Sequence, residues 1–191
     1  WEIDTILKIA QHDEMEITHA FVTHTHPDHV GGGFAGMEID GVTELLEKCK
    51  AKVVVHKAEA EFIKGLSSSD MIKTDNGDKV DVGGLEIKLL HTPGHTPEHI
   101  SLVVTDAKRG PEPWFVLTGH TLMVGDMGRT ELASSAEDGA RALFRSAARL
   151  HELPDYLEVL PGAFSGSVCG RGLSGKATST IGFERRFNRA F

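Results

Sequence analysis

Apolar residues recur along this chain with two periods. Ile3, Ile6, Leu7 and Ala10 fall at helical spacing, so residues 2 to 11 read as an amphipathic helix laid on a sheet. Residues 16 to 22 form an apolar, β-branched run that predicts a strand ending in a polar loop. Val42, Leu45, Leu46 and Cys49 give a second helical face, and residues 52 to 56 a short strand after it, one helix-to-strand step of an α/β layer. Residues 59 to 64 continue as helix up to Gly65, before a surface loop at Ser67, Ser68 and Ser69. A turn at 75 to 78 leads into apolar and polar alternation over 80 to 82 and 85 to 89, which predicts a β-hairpin around Gly83-Gly84. Two more strands are expected at 99 to 105 and 114 to 118. Ser134 with Glu137 three residues on reads as a capping box for a helix from about residue 136 to 153. Its Ala140, Leu143, Phe144, Ala147, Leu150 and Leu153 share one face, and Pro154 stops it. A last strand covers 156 to 160. Phe183, Phe187 and Phe191 then recur every four residues, an aromatic stripe that docks a terminal helix; assembly into a homo-oligomer through this stripe is the second reading.

Polar residues with metal-binding chemistry gather where these strands end. Thr23-His24-Thr25-His26-Pro27-Asp28-His29 places three imidazoles and a carboxylate directly after the first strand. While the chain stays extended, His24 and His26 point to the same side and can grip one ion. Pro27 fixes its own φ and removes a donor, so the chain turns there and aims Asp28 and His29 elsewhere, at a second ion or at a metal-bound water. Neutral imidazole suits zinc, iron and other borderline first-row metals, and a carboxylate among imidazoles raises affinity. Gly31, Gly32 and Gly33 let the backbone pass close to the ion or substrate. The hairpin's second strand runs into His91-Thr92-Pro93-Gly94-His95, and the strand at 114 to 118 into Gly119-His120. Three strand ends thus bring their polar residues to one edge of a sheet. Cys49 reads as a small core residue and His56 as structural. Residues 170 to 176 match the spacing of a phosphate-binding loop, but Ala177 stands where a hydroxyl should hold magnesium and no strand leads directly in.

The pattern at His24, His26, Asp28 and His29 resembles the signature of the metallo-β-lactamase superfamily. Residues 91 to 97 look like its second metal segment, with His95 as ligand, residues 117 to 122 like its third, and Leu160-Pro161-Gly162-Ala163 like its last. The resemblance implies an α/β fold, the αββα sandwich of that family, as one domain over residues 1 to 191 with part of its N-terminal sheet missing. In two-metal members the equivalents of His24, His26 and His95 hold the first ion. The equivalents of Asp28 and His29, with a final His, hold the second, and an Asp bridges both. Here His120 stands at the bridging position and Ala163 at the final one, which implies one well-held metal. The mononuclear branch, the persulfide dioxygenases, holds non-haem iron, and Gly128-Arg129-Thr130-Glu131-Leu132 is similar to a stretch of that branch. The resemblance therefore implies a one-metal enzyme, Fe(II) favoured and Zn(II) the alternative. Its substrate would be a persulfide on a small thiol such as glutathione, with Arg171 or Lys176 anchoring a carboxylate. The alternative is a zinc hydrolase of thioesters, esters or lactones, with Asp28 orienting the attacking water. The third reading is a degenerate relative without turnover.

Composition narrows the partners. A net charge of -8 and a pI near 5.7 argue against a nucleic-acid backbone. Two cysteines, Cys49 and Cys169, are too few for a disulfide framework, and there is no apolar run long enough to span a membrane. A small-molecule substrate and a cytoplasmic setting are the expectation. The chain opens at Trp1 rather than Met.

Overall fold

The computed structural model describes residues 2–34, 36–58, 60, 63, 65–131 and 135–191, apart from the side chains of Asp28, Phe34 and Met37. Backbone contacts divide the chain into two compact units, Trp1–Thr74 and Asp75–Phe191.

In the first unit α1 (Ile3–His12) buries Ile3 and Ala10 but leaves Ile6 exposed, so its contact face is narrower than its apolar spacing. A parallel sheet follows, in the order β1-β4-β5, from β1 (His19–Phe21), β4 (Lys52–His56) and β5 (Met71–Thr74). Val53, Val54 and Val55 are wholly buried, as the middle strand of a parallel sheet requires. β1 starts later than the run 16 to 22 because β4 starts at Lys52, opposite His19; its registered pairs run to Phe21 opposite Val54. Between β1 and β4 come α2 (Pro27–Val30), a hairpin of β2 (Gly32–Phe34) and β3 (Met37–Ile39), and α3 (Val42–Lys48). Gly31 and Gly41 allow a close chain crossing: a Cβ on Gly41 would lie 1.9 Å from the Val30 carbonyl oxygen. The helix expected over 59 to 64 falls largely outside the described residues.

The second unit is built on a six-stranded sheet in the order β13-β12-β9-β8-β7-β6. Its strands are β6 (Lys79–Val82), β7 (Leu85–His91), β8 (Ile100–Asp106), β9 (Phe115–Gly119), β12 (Glu158–Pro161) and β13 (Ser179–Thr180). The short ribbon β10 (Leu122–Met123) and β11 (Asp126–Met127) follows β9, and α4 (Ala136–His151) and α5 (Ile181–Phe187) complete the unit. Its core joins Val103, Val116 and Val159 of the sheet to Leu122, Met127, Ala147, Leu150, Leu157 and Ile181.

Two expectations change here. The cap of α4 is Ser135, whose Oγ accepts the Asp138 N–H at 3.0 Å; Ser134 lies outside the described residues. The buried line of α4 is Gly139, Ser146, Ala147 and Leu150, while Ala140 and Phe144 face solvent. Small residues take that side because the loop after β7 comes so close: Ser146 Oγ donates to the Pro93 carbonyl at 2.6 Å, and a Cβ on Gly94 would sit 2.6 Å from Leu143 Cα. Of the phenylalanine stripe, Phe191 packs against this core, but Phe183 and Phe187 do not dock α5. Ile181, Glu184 and Asn188 face inward, and Phe183 and Phe187 stack on each other in solvent, ring centroids 4.7 Å apart. The buried Glu184 carboxylate accepts from Gly125 N–H at 2.8 Å, Ser179 Oγ at 2.5 Å and Asn188 Nδ2 at 2.9 Å, and these bonds set the helix's rotation. Among the described residues, no helix is long and apolar enough to cross a membrane.

Candidate metal centre

The chain leaves β1 into the first histidine loop. His26 is the N-cap of α2 and Pro27 its first residue, a position where the missing N–H costs nothing. The single helical turn closes through Val30 N–H to His26 O at 3.0 Å and Gly31 N–H to Pro27 O at 2.9 Å. The turn after Pro27 therefore forms, but it carries His29 back beside His24, ring centroids 4.1 Å apart, instead of away from it. His26 approaches His24 edge-on at 4.8 Å. His24 is fully buried, with Thr23 Oγ1 3.1 Å from its Nδ1. The Asp28 side chain lies outside the described residues.

In the second unit the loop after β7 and the turn after β9 bring two more imidazoles together. His95 is fully buried and its Nδ1 lies 2.9 Å from the Arg129 carbonyl oxygen. A carbonyl only accepts, so Nδ1 carries the ring hydrogen and Nε2 keeps the lone pair. His120, 1% exposed, places Nδ1 3.2 Å from that Nε2. With its ring hydrogen on Nε2, His120 offers a second lone pair there, and two lone pairs at this distance fit one cation; with the hydrogen on Nδ1 the same contact is a hydrogen bond to His95 Nε2. Metal–nitrogen bonds of about 2.0–2.1 Å at tetrahedral angles put neighbouring donors about 3.3–3.4 Å apart.

The pair is braced by main chain. Gly128 packs so tightly that a Cβ there would lie 2.1 Å from the His120 carbonyl oxygen and 3.1 Å from His95 Cβ. The next residue, Arg129, donates its N–H to Cys169 O at 3.1 Å while its own carbonyl holds His95. Sequence reasoning singled out residues 128 to 132 only for their family resemblance; the glycine was the local signal. The last segment also reaches this place: Gly162 N–H donates to Gly119 O at 2.7 Å, so Ala163 is delivered near the His120 turn and supplies only a methyl group. His91 is not one of this pair. Its Nε2 lies 2.9 Å from Pro97 O and its N–H donates to Asn76 Oδ1, closing the loop.

Arg171 and Lys176 line different surfaces. Arg171 pairs with Glu131 at 2.7 Å beside a groove of about 890 Å³ that also takes in Arg129, Leu143, Phe144 and Phe191. The Glu131 carboxyl is held below its ordinary value, first by its own backbone N–H and then by Arg171. Lys176 lies 5.0 Å from the Phe183 ring, in a shallow pocket with Tyr156 and Thr180. The phosphate-loop spacing has another use: Asp126 Oδ2 accepts the Arg171 and Gly172 N–H groups at 2.7 and 2.8 Å, so a carboxylate of this chain fills the anion position.

A profile of the metallo-β-lactamase superfamily matches residues 2–162. The chain is 32% identical over 162 residues to hydroxyacylglutathione hydrolase of Rhodopseudomonas palustris strain BisB5, covering 84% of this chain and 54% of that protein. It is 32% identical over 127 residues to the cytoplasmic hydroxyacylglutathione hydrolase of Arabidopsis thaliana, covering 66% and 43%. The chain thus spans about half the length of these curated relatives. Among solved structures, the metallo-β-lactamase from Staphylococcus aureus subsp. aureus COL superposes with a TM-score of 0.86 at 32% identity, over 100% of this chain and 53% of that one. ETHE1 from Myxococcus xanthus gives 0.74 at 30%, over 98% and 68%. These buried imidazoles, in a chain of this kind, support a divalent metal as cofactor. By its matched span, its fold and its histidine segments, the chain belongs to the metallo-β-lactamase superfamily.

Proposed function

We propose that this chain is a one-metal enzyme in which His24 and His26, with His95 and His120, hold Fe(II), with Zn(II) as the alternative ion, and that it oxidises a persulfide carried on a small thiol. The observation that supports a single ion is the His120 ring. Its Nδ1 faces His95 Nε2 at 3.2 Å, so in the tautomer with hydrogen on Nε2 its Nδ1 lone pair goes to the ion that His95 binds. An imidazole bridges poorly where a carboxylate would offer two oxygens.

When bound, the ion supplies Lewis acidity and, as iron with open positions, redox chemistry. The chain's residues do the rest. The Arg129 carbonyl keeps His95 in the tautomer that presents Nε2, and burial of His24, His95 and His120 keeps bulk water from their rings. Neutral imidazoles leave the ion's positive charge uncancelled, which favours an anionic sulfur ligand. Asp28 and His29 are assigned to orienting water and moving protons beside the ion, and Arg171 to anchoring a substrate carboxylate from the groove it lines; Lys176 is the second candidate anchor.

A second reading is a zinc hydrolase of thioesters, esters or lactones, favoured by the hydroxyacylglutathione hydrolases among the relatives. Metal analysis of purified protein separates the two, paired with oxygen uptake on glutathione persulfide and with thioester hydrolysis. Iron with oxygen uptake supports the first reading, and zinc with hydrolysis the second. Metal without either activity, or no metal, overturns both and leaves a degenerate relative.

A further inference from the structure

His99 is fully buried and stands outside every ligand set considered above. Its two ring nitrogens face partners of opposite kind. Nε2 lies 3.0 Å from the His120 backbone nitrogen, whose N–H can only donate, so Nε2 is the acceptor. The ring hydrogen therefore sits on Nδ1, which lies 2.9 Å from Thr121 Oγ1 and 3.2 Å from Thr92 Oγ1. The Thr121 hydroxyl spends its hydrogen on the Thr92 carbonyl at 2.8 Å, which leaves its oxygen free to accept from His99. Thr92 Oγ1 is in turn 2.9 Å from Ser101 Oγ. All four residues are buried, and the bonds just named share one consistent set of directions, with Thr121 Oγ1 to Thr92 Oγ1 at 3.3 Å left as a longer contact.

We propose that His99 is a positioning residue: through Nε2 it fixes the main chain of His120 and so keeps His120 Nδ1 at ligand distance from His95 Nε2. The turn that carries His120 needs such a hold. Gly119 is in the left-handed region, φ 51°, and Thr121 N–H closes the turn on Thr118 O at 3.0 Å. His120 is at its apex, with its carbonyl packed against Gly128 on one side and its amide held by His99 on the other. A hydrogen-bonding partner behind a metal ligand commonly sets tenfold to a hundredfold of metal affinity.

The inference rests on the one-metal reading in taking His120 as a ligand. Two variants divide the ring's functions. His99→Gln places an amide oxygen near the Nε2 position and keeps the acceptor for the His120 amide. His99→Asn places its amide near Nδ1, so it keeps the threonine contacts and loses that acceptor. Co(II) affinity, the Co(II) d–d spectrum and thermal unfolding of the metal-free protein are measured for both and for the unaltered chain. The expected result is a loss of about tenfold to a hundredfold in Co(II) affinity with an altered spectrum for His99→Asn, and recovery of both in His99→Gln. Variants that bind Co(II) like the unaltered chain overturn the proposal, as does a loss in both variants that follows their loss of metal-free stability. An unaltered chain that binds no Co(II) overturns the one-metal reading itself, and with it this role; only the former outcomes speak against His99 alone.

Discussion

Replacing Gly128 by alanine tests the brace behind His95 and His120, the two second-unit residues proposed to hold the ion. The added Cβ would lie 2.1 Å from the His120 carbonyl oxygen, where real Cβ contacts stay beyond 3.0 Å, so the two main chains must part by about 0.9 Å. The neighbour that must yield is backbone, not the end of a flexible side chain. Such overpacking costs about 3 kcal/mol, the upper part of the usual range. Against this, alanine restricts the unfolded chain and returns up to about 1 kcal/mol. Steric cost wins, with a net loss of about 2 kcal/mol, and a chain of this length then melts roughly 4–8 °C lower. The shift also exceeds the roughly 0.2 Å that metal–ligand distances tolerate, so the 3.2 Å separation of His95 Nε2 and His120 Nδ1 is lost and metal affinity falls. Thermal unfolding with and without Co(II) reads both effects. Gly175→Ala, where a Cβ meets nothing within 4 Å, is the control and should melt no lower than the parent. An unchanged melting temperature for Gly128→Ala refutes the packing argument, and a lowered one with unchanged Co(II) affinity refutes its link to the ligands.

Other substitutions probe other parts of the same reasoning. His95→Ala should abolish metal binding while Asp28→Ala weakens it less, as read by metal content after dialysis; equal retention contradicts the assignment. Leu150→Ala empties a fully buried site of the second core and should cost about 2–5 kcal/mol in urea unfolding; a loss under about 1 kcal/mol would mean that the site collapses freely. Glu184→Leu leaves the Gly125, Ser179 and Asn188 donors facing an apolar group, at about 1–3 kcal/mol each, whereas Glu184→Gln should lose less because one oxygen remains; equal losses would remove the carboxylate's acceptor role. On the surface, the hydrogen bond from Lys48 holds the Asp4 carboxyl below its ordinary 3.8. A depressed acid stabilises the fold above its ordinary value, and that stability is lost as pH falls through the folded one. Lys48→Met should move the NMR titration of Asp4 up toward 3.8, and an unmoved titration would show that the pair is not formed in solution.

What could be read from the chain were the features written in short-range pattern. β4, the β6–β7 hairpin and α3 appear where their residues alternate or recur, because those periods reflect burial on one face or both. Elements decided by distant partners were misjudged. β1 starts only where β4 does, and β5, four residues with no clear period, pairs along the other side of β4. The faces of α4 and α5 were placed by counting apolar residues, yet small residues at Gly139 and Ser146 and a hydrogen-bonded carboxylate at Glu184 decide what faces inward. Histidines were legible as chemistry, since three imidazoles and a carboxylate within six residues at a strand end are rare by chance. Their support was not. The Arg129 carbonyl and the His99 acceptor act through main chain and through a ring outside the motif, and neither carries a mark in local sequence.

That distribution of support bears on how well the pair His95 and His120 is determined. His95 is oriented by a carbonyl oxygen, and His120 by its own amide and by the close approach of Gly128. Each brace is main chain on at least one side, in a region whose hydroxyl network is closed. In the first unit Thr23 Oγ1 lies beside His24 Nδ1, and the turn that follows, Pro27–Val30, has a length with little stability of its own. A cation gains more from donors already fixed than from donors it must order, because each side chain it immobilises costs free energy. The count of imidazoles is therefore the weaker measure of this centre. In the proposed centre a chain could keep every histidine of the motif and hold the ion less well after one change behind them, and Gly128 and His99 are two such positions.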